Sequence, residues 1–239
     1  MTNWTKIQKT LASDTIRTVF ITGRPGIGKT YYAYHKGLRP DEMVYALTLT
    51  EDTPTAELRG HYIPSETGGL KWKDGPVISA MRNGDRLVLN EISHASEEAL
   101  SFLHPILEDI STARITLPTG ETVQAKEGFN VIATDNLPLD TLPSAIQDRF
   151  QASFTINSYH PEALDGLSPV IAQVARNTEN VESEERTVSL RGWYAFQGLL
   201  NEGWSVEDSA SVVFGNKSNS IVEAVNFQKA VIAEKDQSQ

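Results

Sequence analysis

A glycine-rich segment near the start of the chain has the residue types that bind a polyphosphate. Residues 23–30 read Gly-Arg-Pro-Gly-Ile-Gly-Lys-Thr and fit the pattern G-x-x-x-x-G-K-[ST] without a gap. In such a loop the glycines let backbone N–H groups curl around phosphates, the lysine reaches the β- and γ-phosphates, and the hydroxyl binds Mg²⁺. The sequence therefore predicts a site for ATP and Mg²⁺, with Thr30 as a metal ligand and with nucleotide contacts from Gly23, Arg24, Pro25, Gly26, Ile27, Gly28, Lys29, Thr30 and Tyr31.

The segments on either side of this loop separate it from a chance match. Residues 18–22, Thr-Val-Phe-Ile-Thr, form an apolar run that predicts a strand, and residues 31–36 can begin a helix. The positive end of that helix would add to the attraction for phosphate. The alternative is a glycine-rich turn in which Lys29 and Thr30 are incidental. The order of strand, loop and helix favours the phosphate site.

A second pair of residues suggests how the bound nucleotide is attacked. The apolar run at residues 86–89 ends in Asn90 and Glu91. Glu91 can polarise a water as a general base, and the amide oxygen of Asn90 can accept from a water on Mg²⁺, although a carboxylate there would also supply charge. Asp85 begins the same strand, about 15 Å away, and cannot substitute. The alternative is that Asn90 and Glu91 only cap a following helix.

Composition narrows the class of protein. The chain has 239 residues, a net charge of −10 and no cysteine. Disulfides, cysteine-based zinc sites and thiol catalysis are therefore excluded, and the five histidines are too scattered for a metal site. No stretch approaches the ~18 apolar residues of a membrane span and no signal peptide is evident, so we expect a cytoplasmic protein. The excess of acidic residues argues against a surface that binds duplex DNA. It does not exclude nucleic-acid binding, because a ring can have a basic pore and an acidic rim.

Apolar runs alternate with helical patterns up to about residue 160, and only helical patterns follow. Such alternation predicts a parallel sheet sandwiched by helices, an α/β domain over residues 1–158, with a helical lid over 159–239. The acidic residues 179–185 are expected to form a solvated loop. Strands are predicted at 18–22, 43–48, 86–89, 129–134 and 152–156, and helices at 3–12, 96–109, 168–176, 189–201, 205–214 and 221–233, with Pro105 kinking the second of these.

Several further segments resemble the AAA+ ATPases, specifically the MoxR-like, dynein-related group. The order and spacing of these segments are similar to that group from about residue 16 to residue 214. Asn90 departs from the group's Asp, and residues 93–94 also differ. Besides the phosphate loop, the matching segments are Glu57–Gly60 with Gly68–Pro76, Leu87–Ala95, Val131–Asn136 and Leu142–Phe150.

The resemblance implies roles for three more residues. Asn136 would be sensor 1, orienting the lytic water or contacting the γ-phosphate; otherwise it is a turn residue before Leu137. Arg149 would be an arginine finger acting on a neighbour's ATP, and the alternative is an ion pair with Asp148 or another acid. Arg191 would be sensor 2 at the start of a lid helix, and the alternative is an ordinary exposed arginine. A site shared in this way implies a homo-oligomeric ring, most simply a hexamer.

Two predicted hairpins, at residues 61–75 and 115–124, would face the pore or a partner in such a ring. Trp72 would either contact that partner or pack its own hairpin. The resemblance implies a protein client, with a von Willebrand A-domain protein as the first choice. The other functions left open are a nucleic-acid motor and a slowly hydrolysing scaffold, the latter because of Asn90. Asp135 and Asp140 are interpreted as solvated loop acids.

Overall fold

The computed structural model describes residues 3–66, 68–179 and 188–236. The chain divides into two compact units. The first comprises Met1–Gly23 and Lys29–Ile156, and the second comprises Arg24–Gly28 and Asn157–Gln239. The glycine-rich residues 24–28 thus group with the helical part of the chain, whereas Gly23 and Lys29 on either side group with the sheet.

A five-stranded sheet with strand order β2-β5-β8-β1-β9 forms the centre of the first unit. Every neighbouring pair runs parallel. All residues of β1 and β5 are buried, as expected for central strands covered on both faces. The predicted parallel sheet is confirmed, and its strands are β1 Thr18–Gly23, β2 Val44–Thr48, β5 Arg86–Asn90, β8 Asn130–Asp135 and β9 Ala152–Ile156.

Helices cover this sheet, and two small hairpins extend from the same unit. The hairpin of β3 Gly60–Pro64 and β4 Leu70–Asp74 and that of β6 Arg114–Thr116 and β7 Thr122–Gln124 both lie where hairpins were expected. A cluster of buried aliphatic and aromatic side chains around Phe20, Leu89 and Phe129 forms the core. The helices are α1 Asn3–Leu11, α2 Lys29–His35, α3 Thr55–Arg59, α4 Pro76–Asn83, α5 Glu97–Leu103 and α6 Ser144–Gln147.

The helix predicted over residues 96–109 is shorter than expected. Ser96 caps its start by accepting a hydrogen bond from the amide of Ala99 at 3.2 Å. Helix α5 then ends at Leu103, and the chain continues as a 3-10 turn over His104–Ile106. Pro105 has no N–H to donate and its ring clashes with the preceding turn, so the α-helix cannot pass through it. Pro105 was predicted to kink this helix, but the α-helix instead ends before it.

The second unit is helical, as predicted for residues beyond 160. Its core contains the rings of Trp193, Phe196 and Phe214, with the Trp193 and Phe214 centroids 5.2 Å apart. Of the acidic stretch 179–185, Glu179 closes a helix and the remainder lies outside the described residues. The helices are α7 Pro161–Asp165, α8 Pro169–Glu179, α9 Leu190–Asn201, α10 Val206–Phe214 and α11 Ser218–Asp236. Among the described helices, none is both long and apolar enough to cross a bilayer.

Candidate nucleotide site

Residues from three separate motifs are joined by hydrogen bonds where β1, β5 and β8 end. Nζ of Lys29 donates to Oδ1 of Asn136 at 2.9 Å and to the carbonyl of Gly23 at 2.7 Å. Nδ2 of Asn136 lies 3.2 Å from each carboxylate oxygen of Glu91 and donates to them. The structure thus brings Lys29, Asn136 and Glu91 into one chain of polar contacts at one edge of the sheet.

The parallel register explains why Glu91 and Asn136 meet. Asn90 on β5 pairs with Thr134 on β8, so the residues that follow each strand emerge side by side. The amide of Glu91 also donates to the carbonyl of Thr134 at 2.8 Å. Glu91 itself has a left-handed backbone with φ of 56°. A residue other than glycine held in this region costs about 1–3 kcal/mol and persists only where its surroundings enforce it.

Burial sets the electrostatics of Lys29. Its side chain is nearly enclosed, and residue exposure is 7%. Desolvation lowers the pKa of Lys29 to about 8, and the negative charges of Glu91 and Asp135 oppose that shift. The ammonium remains mostly protonated at neutral pH, yet it has given up much of its hydration. A phosphate group would restore a counter-charge without a further desolvation cost to the lysine.

The glycine loop has a backbone that only glycine adopts readily. Gly26 and Gly28 have φ of 71° and 107°. A Cβ on Gly26 would lie 2.3 Å from the Cβ of Ser189, a distance that real side chains do not reach. Gly26 is therefore required both for its conformation and for the close approach of the loop to Ser189, the residue that precedes α9.

Hydrogen bonds to the glycine loop engage its carbonyl groups and leave its amide groups available to a ligand. The carbonyl of Gly26 accepts from the amide of Leu190 at 2.8 Å, and that of Ile27 accepts from the amide of His160 at 3.3 Å. The amides of Gly26, Ile27 and Gly28 donate to nothing within the described part of the chain. A curled loop with its carbonyls satisfied and several N–H donors open fits a phosphate group.

The flanking loop residues occupy more exposed positions. Arg24 donates to the carbonyl of Asn157, and Pro25 is exposed. The ring of Tyr31 packs at a tilt against that of His35, with the centroids 4.5 Å apart. Thr30 is exposed at the start of α2, so its hydroxyl is open to a ligand. Of the predicted loop residues, Gly23, Ile27 and Lys29 are buried, and the others are partly or fully exposed.

Asn90, the other predicted metal contact, is held by residues of β2, β8 and α2. Its Oδ1 accepts from the hydroxyl of Thr134 at 2.9 Å, and its Nδ2 donates to the Leu47 carbonyl and the Tyr34 hydroxyl, both at 3.3 Å. No group of three or more His, Cys, Asp or Glu side chains that could hold a metal occurs among the described residues. The residues present fit a Mg²⁺ ion bound mainly through Thr30, water and nucleotide phosphates, which is how proteins commonly bind it.

Asp135 is a residue whose environment the sequence interpretation missed. It is 1% exposed, and its carboxylate accepts from the amide and hydroxyl of Ser93 and from the amide of Leu137. The expectation of a solvated acid was wrong for Asp135, whereas Asp140 is exposed as expected. The strand was predicted to end at residue 134, but β8 continues to Asp135, and all of its residues after Asn130 are buried. The available signal was that Asp135 directly follows the apolar run.

Arg149 lies at the opposite end of the strands, where β1 begins. Its carbonyl accepts from the hydroxyl of Thr18 at 2.6 Å, at the first residue of β1. Its guanidinium forms ion pairs with Glu108 at 2.6 Å and Asp148 at 3.0 Å, so the ion pairing considered as an alternative is present. A strand the length of β1 spans about 20 Å, which separates Arg149 from the Lys29 of its own chain. Arg149 is therefore not joined to the Lys29, Asn136 and Glu91 contacts.

Arg191 is the second residue of α9 and is exposed. The helix is capped by Ser189, whose hydroxyl accepts from the amide of Gly192 at 3.1 Å. The guanidinium makes no hydrogen bond or ion pair with the residues that the structure describes. Because Leu190 bonds to Gly26, the residue preceding Arg191 is fixed directly to the glycine loop.

Trp72 packs its own hairpin. It is partly buried against the core, its Nε1 donates to Oδ1 of Asp74 at 2.7 Å, and its ring lies 5.2 Å from that of Tyr62. The exposed apolar residues of this hairpin are instead Tyr62 and Leu70, at 46% and 69%. Any contact of the hairpin with a partner would begin at those two residues.

Comparison with known proteins identifies the family. Residues 18–150 match the model of the AAA domain, dynein-related subfamily. Protein NorQ of Paracoccus denitrificans is 33% identical over 141 residues, which cover 56% of this chain and 50% of that protein. An uncharacterized protein of Staphylococcus aureus is 34% identical over 197 residues, covering 75% of this chain and 72% of that protein.

The fold also matches solved structures. A mutant of RuvB from Thermotoga maritima superimposes with a TM-score of 0.52 at 14% identity, covering 83% of this chain and 62% of that one. The chain spans about half the length of NorQ, so the activity of that whole protein does not transfer by similarity alone. The family match extends from the first strand of the sheet to the segment that precedes the last, and the chain belongs to the MoxR-like, dynein-related group of AAA+ ATPases.

Proposed function

We propose that this chain binds ATP with Mg²⁺ and hydrolyses it, with Glu91 as the general base. The observation that supports this most is the chain of hydrogen bonds from Lys29 through Asn136 to Glu91. These residues come from three motifs, the first and last of which lie 107 positions apart, and each has a group suited to one part of the reaction. Asn136 is exposed, so a ligand can reach this cluster.

The hydrogen bonds suggest an order of events. In the structure, Oδ1 of Asn136 accepts from Lys29 and Nδ2 of Asn136 donates to Glu91. A γ-phosphate would compete for both the ammonium of Lys29 and the amide of Asn136, since it is a stronger acceptor than a neutral amide. Glu91 would then lose its donor and be free to accept a proton from an attacking water.

Loop amides and metal would stabilise the charge on the phosphates. The open N–H groups of Gly26, Ile27 and Gly28 supply fixed donors, and Lys29 supplies a positive charge. Thr30 would hold Mg²⁺ directly and Asn90 would contact it through water, and the ion would supply positive charge beside the phosphates. Arg191, in the helical lid predicted over residues 159–239, would contact the same nucleotide as sensor 2.

Assembly into a ring, most simply a hexamer, is the second part of the proposal. AAA+ proteins are generally oligomeric, and Arg149 lies too far from the Lys29 of its own chain to assist there. Its side chain is one-quarter exposed and held by Glu108 and Asp148 at the edge of the unit. In a ring it would exchange these partners for the γ-phosphate of a neighbour. Hydrolysis would then drive remodelling or activation of a client protein, with a von Willebrand A-domain protein as the first candidate.

One observation favours a second candidate, a scaffold that binds ATP but hydrolyses it slowly. Position 90 lacks a carboxylate, and the amide oxygen of Asn90 already accepts from Thr134. A scaffold limited by this defect should gain turnover in Asn90→Asp. We expect no gain, because an aspartate cannot donate to the carbonyl of Leu47 as Asn90 does.

The test is ATP hydrolysis measured against protein concentration for the wild type, Glu91→Gln and Arg149→Ala. Turnover per chain that rises with concentration and is lost in both variants supports a shared-site ATPase. Asp148→Asn is the matched control for Arg149, because it removes one ion-pair partner and keeps the guanidinium. Wild-type ATP binding without turnover at any concentration would contradict hydrolysis by this chain alone and favour the scaffold.

A further inference from the structure

We infer that Asp135 is a positioning residue, whose buried carboxylate holds Glu91 and Asn136 in the geometry that hydrolysis requires. The inference rests on the proposed ATPase function and extends it to a side chain that does not contact the reacting atoms.

The carboxylate of Asp135 clamps two segments at once. Its Oδ2 accepts from the amide of Ser93 at 2.7 Å, and its Oδ1 accepts from the hydroxyl of Ser93 and the amide of Leu137, both at 2.9 Å. Both oxygens are thus used, and the residue is 1% exposed. A buried carboxylate satisfied by two backbone amides and a hydroxyl is a rigid anchor for what it binds.

The first segment is the turn that carries Glu91. The backbone of Glu91 is left-handed, and a 3-10 turn over Ile92–His94 follows immediately. Such a conformation persists only where neighbouring contacts enforce it. The backbone bond from Glu91 to Thr134 fixes one end of the turn, and the two bonds from Ser93 to Asp135 fix the other.

The second segment is Asn136 itself. Asp135 precedes it and is the last residue of β8, while Leu137 follows it and is bonded back to the Asp135 carboxylate. The backbone on both sides of Asn136 is therefore fixed by one side chain. Glu91 and Asn136, which touch each other, are thus held from the same carboxylate.

Each carboxylate oxygen of Asp135 faces hydrogen-bond donors, so the side chain at this position must offer an acceptor on both sides. An asparagine has nearly the same shape, but its Nδ2 would face either the N–H of Ser93 or the two donors on the other side. Asn90, on the neighbouring strand, shows the opposite arrangement, because it donates to the Leu47 carbonyl. Each residue matches its surroundings, so Asp135→Asn should break the clamp with little change in packing.

The first arm of the test separates positioning from stability. We expect Asp135→Asn to lower the single-turnover rate of ATP hydrolysis about 10- to 100-fold, since small misplacements of reacting groups have effects of that size. The Kd for ATP should change less than about threefold, and the melting temperature should fall by only a few degrees, the cost of the buried donors that lose their acceptor. Asp140→Asn, the same change at an exposed acid nearby, is the matched control and should leave all three unchanged.

Either of two results in this arm overturns the inference. One is a wild-type rate in Asp135→Asn, and the other is a parallel loss of rate, ATP affinity and melting temperature, which indicates a merely structural role. If Asp135→Asn does not fold, Ser93→Ala replaces it, because that variant keeps the amide donor and loses only the hydroxyl. Its rate should fall about three- to tenfold, and an unchanged rate would contradict the inference.

The second arm uses hydrogen exchange and does not depend on turnover. In Asp135→Asn without nucleotide, the amides of Ser93 and Leu137 should exchange at least about tenfold faster, because each loses or weakens its acceptor. Unchanged exchange at both amides contradicts the inference even if the variant is inactive. A wild-type protein that binds ATP and does not hydrolyse it contradicts the proposed function instead, so the two failures are distinguishable.

Discussion

The central sheet has charged residues at both ends of its strands, and the two ends differ in how these residues are paired. The amino edge is where the strands begin, and the carboxyl edge is where they end. At the amino edge, where β5 and β8 begin, Arg86 is fully buried and donates to the carbonyls of Ala33, Lys36 and Gly37 at 2.6–3.0 Å. It also lies 3.4 Å from the carboxylate of Glu42, which is 1% exposed. At the carboxyl edge, Lys29 and Glu91 are linked through the exposed amide of Asn136.

The two edges differ in how completely the hydrogen-bonding groups of their charged residues are paired. Arg86 closes the carboxyl end of α2 with short bonds, and nothing remains for a ligand. At the other end of the same helix, Lys29 has a lowered pKa and donates to the neutral amide of Asn136, an acceptor that an anion would exceed in strength. Buried polar groups that are fully paired stabilise a fold, whereas groups paired imperfectly beside open backbone donors are available for binding and catalysis.

The comparison predicts that the largest change in stability comes from the amino edge. Arg86→Leu should lower the free energy of unfolding by about 3–5 kcal/mol, since it strands the α2 carbonyls and removes a partner of Glu42. Urea denaturation measures this. An unchanged midpoint would show that the buried network does not hold α2, and the comparison would fail.

At the carboxyl edge, Lys29→Met should affect binding rather than stability. We expect the Kd for ATP to rise about 100-fold, or about 2.7 kcal/mol, because a desolvated charge that faces the phosphates is lost. The melting temperature should not fall, since methionine removes a buried charge from a site that strains it. Calorimetric titration and thermal melting test the two statements, and a large loss of stability would contradict the distinction between the edges.

The lowered pKa of Lys29 predicts a pH dependence of binding. Affinity for ATP should fall about tenfold between pH 7 and pH 9 as a lysine with a pKa of about 8 loses its proton. The stability contribution has the opposite sign. The unfolded chain binds the proton up to its ordinary pKa, so the free energy of unfolding should rise between pH 8 and that value. Lys29→Arg, which stays charged, should remove both dependences.

A smaller effect is expected from the left-handed backbone of Glu91. Glycine usually destabilises a chain relative to alanine, but at φ of 56° the order should reverse. We expect Glu91→Gly to be more stable than Glu91→Ala by about 0.5–1 kcal/mol, with both inactive. Equal stabilities, or a more stable alanine variant, would show that the turn after β5 is not strained.

The strands were predictable because each is a short apolar run that the sheet buries on both sides. Residues 152–156 were predicted with the bounds that the structure has. Glu91 and Asn136 could be predicted as neighbours of the phosphate loop because parallel strands end at one edge. The end of α5 could not be fixed from its periodicity, since the apolar spacing continues beyond Pro105.

What the sequence could not predict depends on partners from other segments. Asn90 follows an apolar run, but its bonds to Leu47, Tyr34 and Thr134 come from β2, α2 and β8. The burial of Asp135 likewise requires the turn that contains Ser93, which is more than forty residues earlier in the chain. The arginine-finger role of Arg149 stays a prediction from the resemblance. An ion pair was expected as the alternative, but the sequence could not identify Glu108 as a partner, because that contact depends on how distant segments pack.

The most direct test of the central claim is a double-mutant cycle on single-turnover ATP hydrolysis with Glu91→Gln, Asn136→Ala and the double variant. If Lys29, Asn136 and Glu91 act as one unit on bound ATP, each single variant should lose about 100-fold or more, and the double variant should lose no more than Glu91→Gln alone. Losses that multiply would mean that the two residues act independently. A rate that survives Glu91→Gln would contradict the site proposed for this protein.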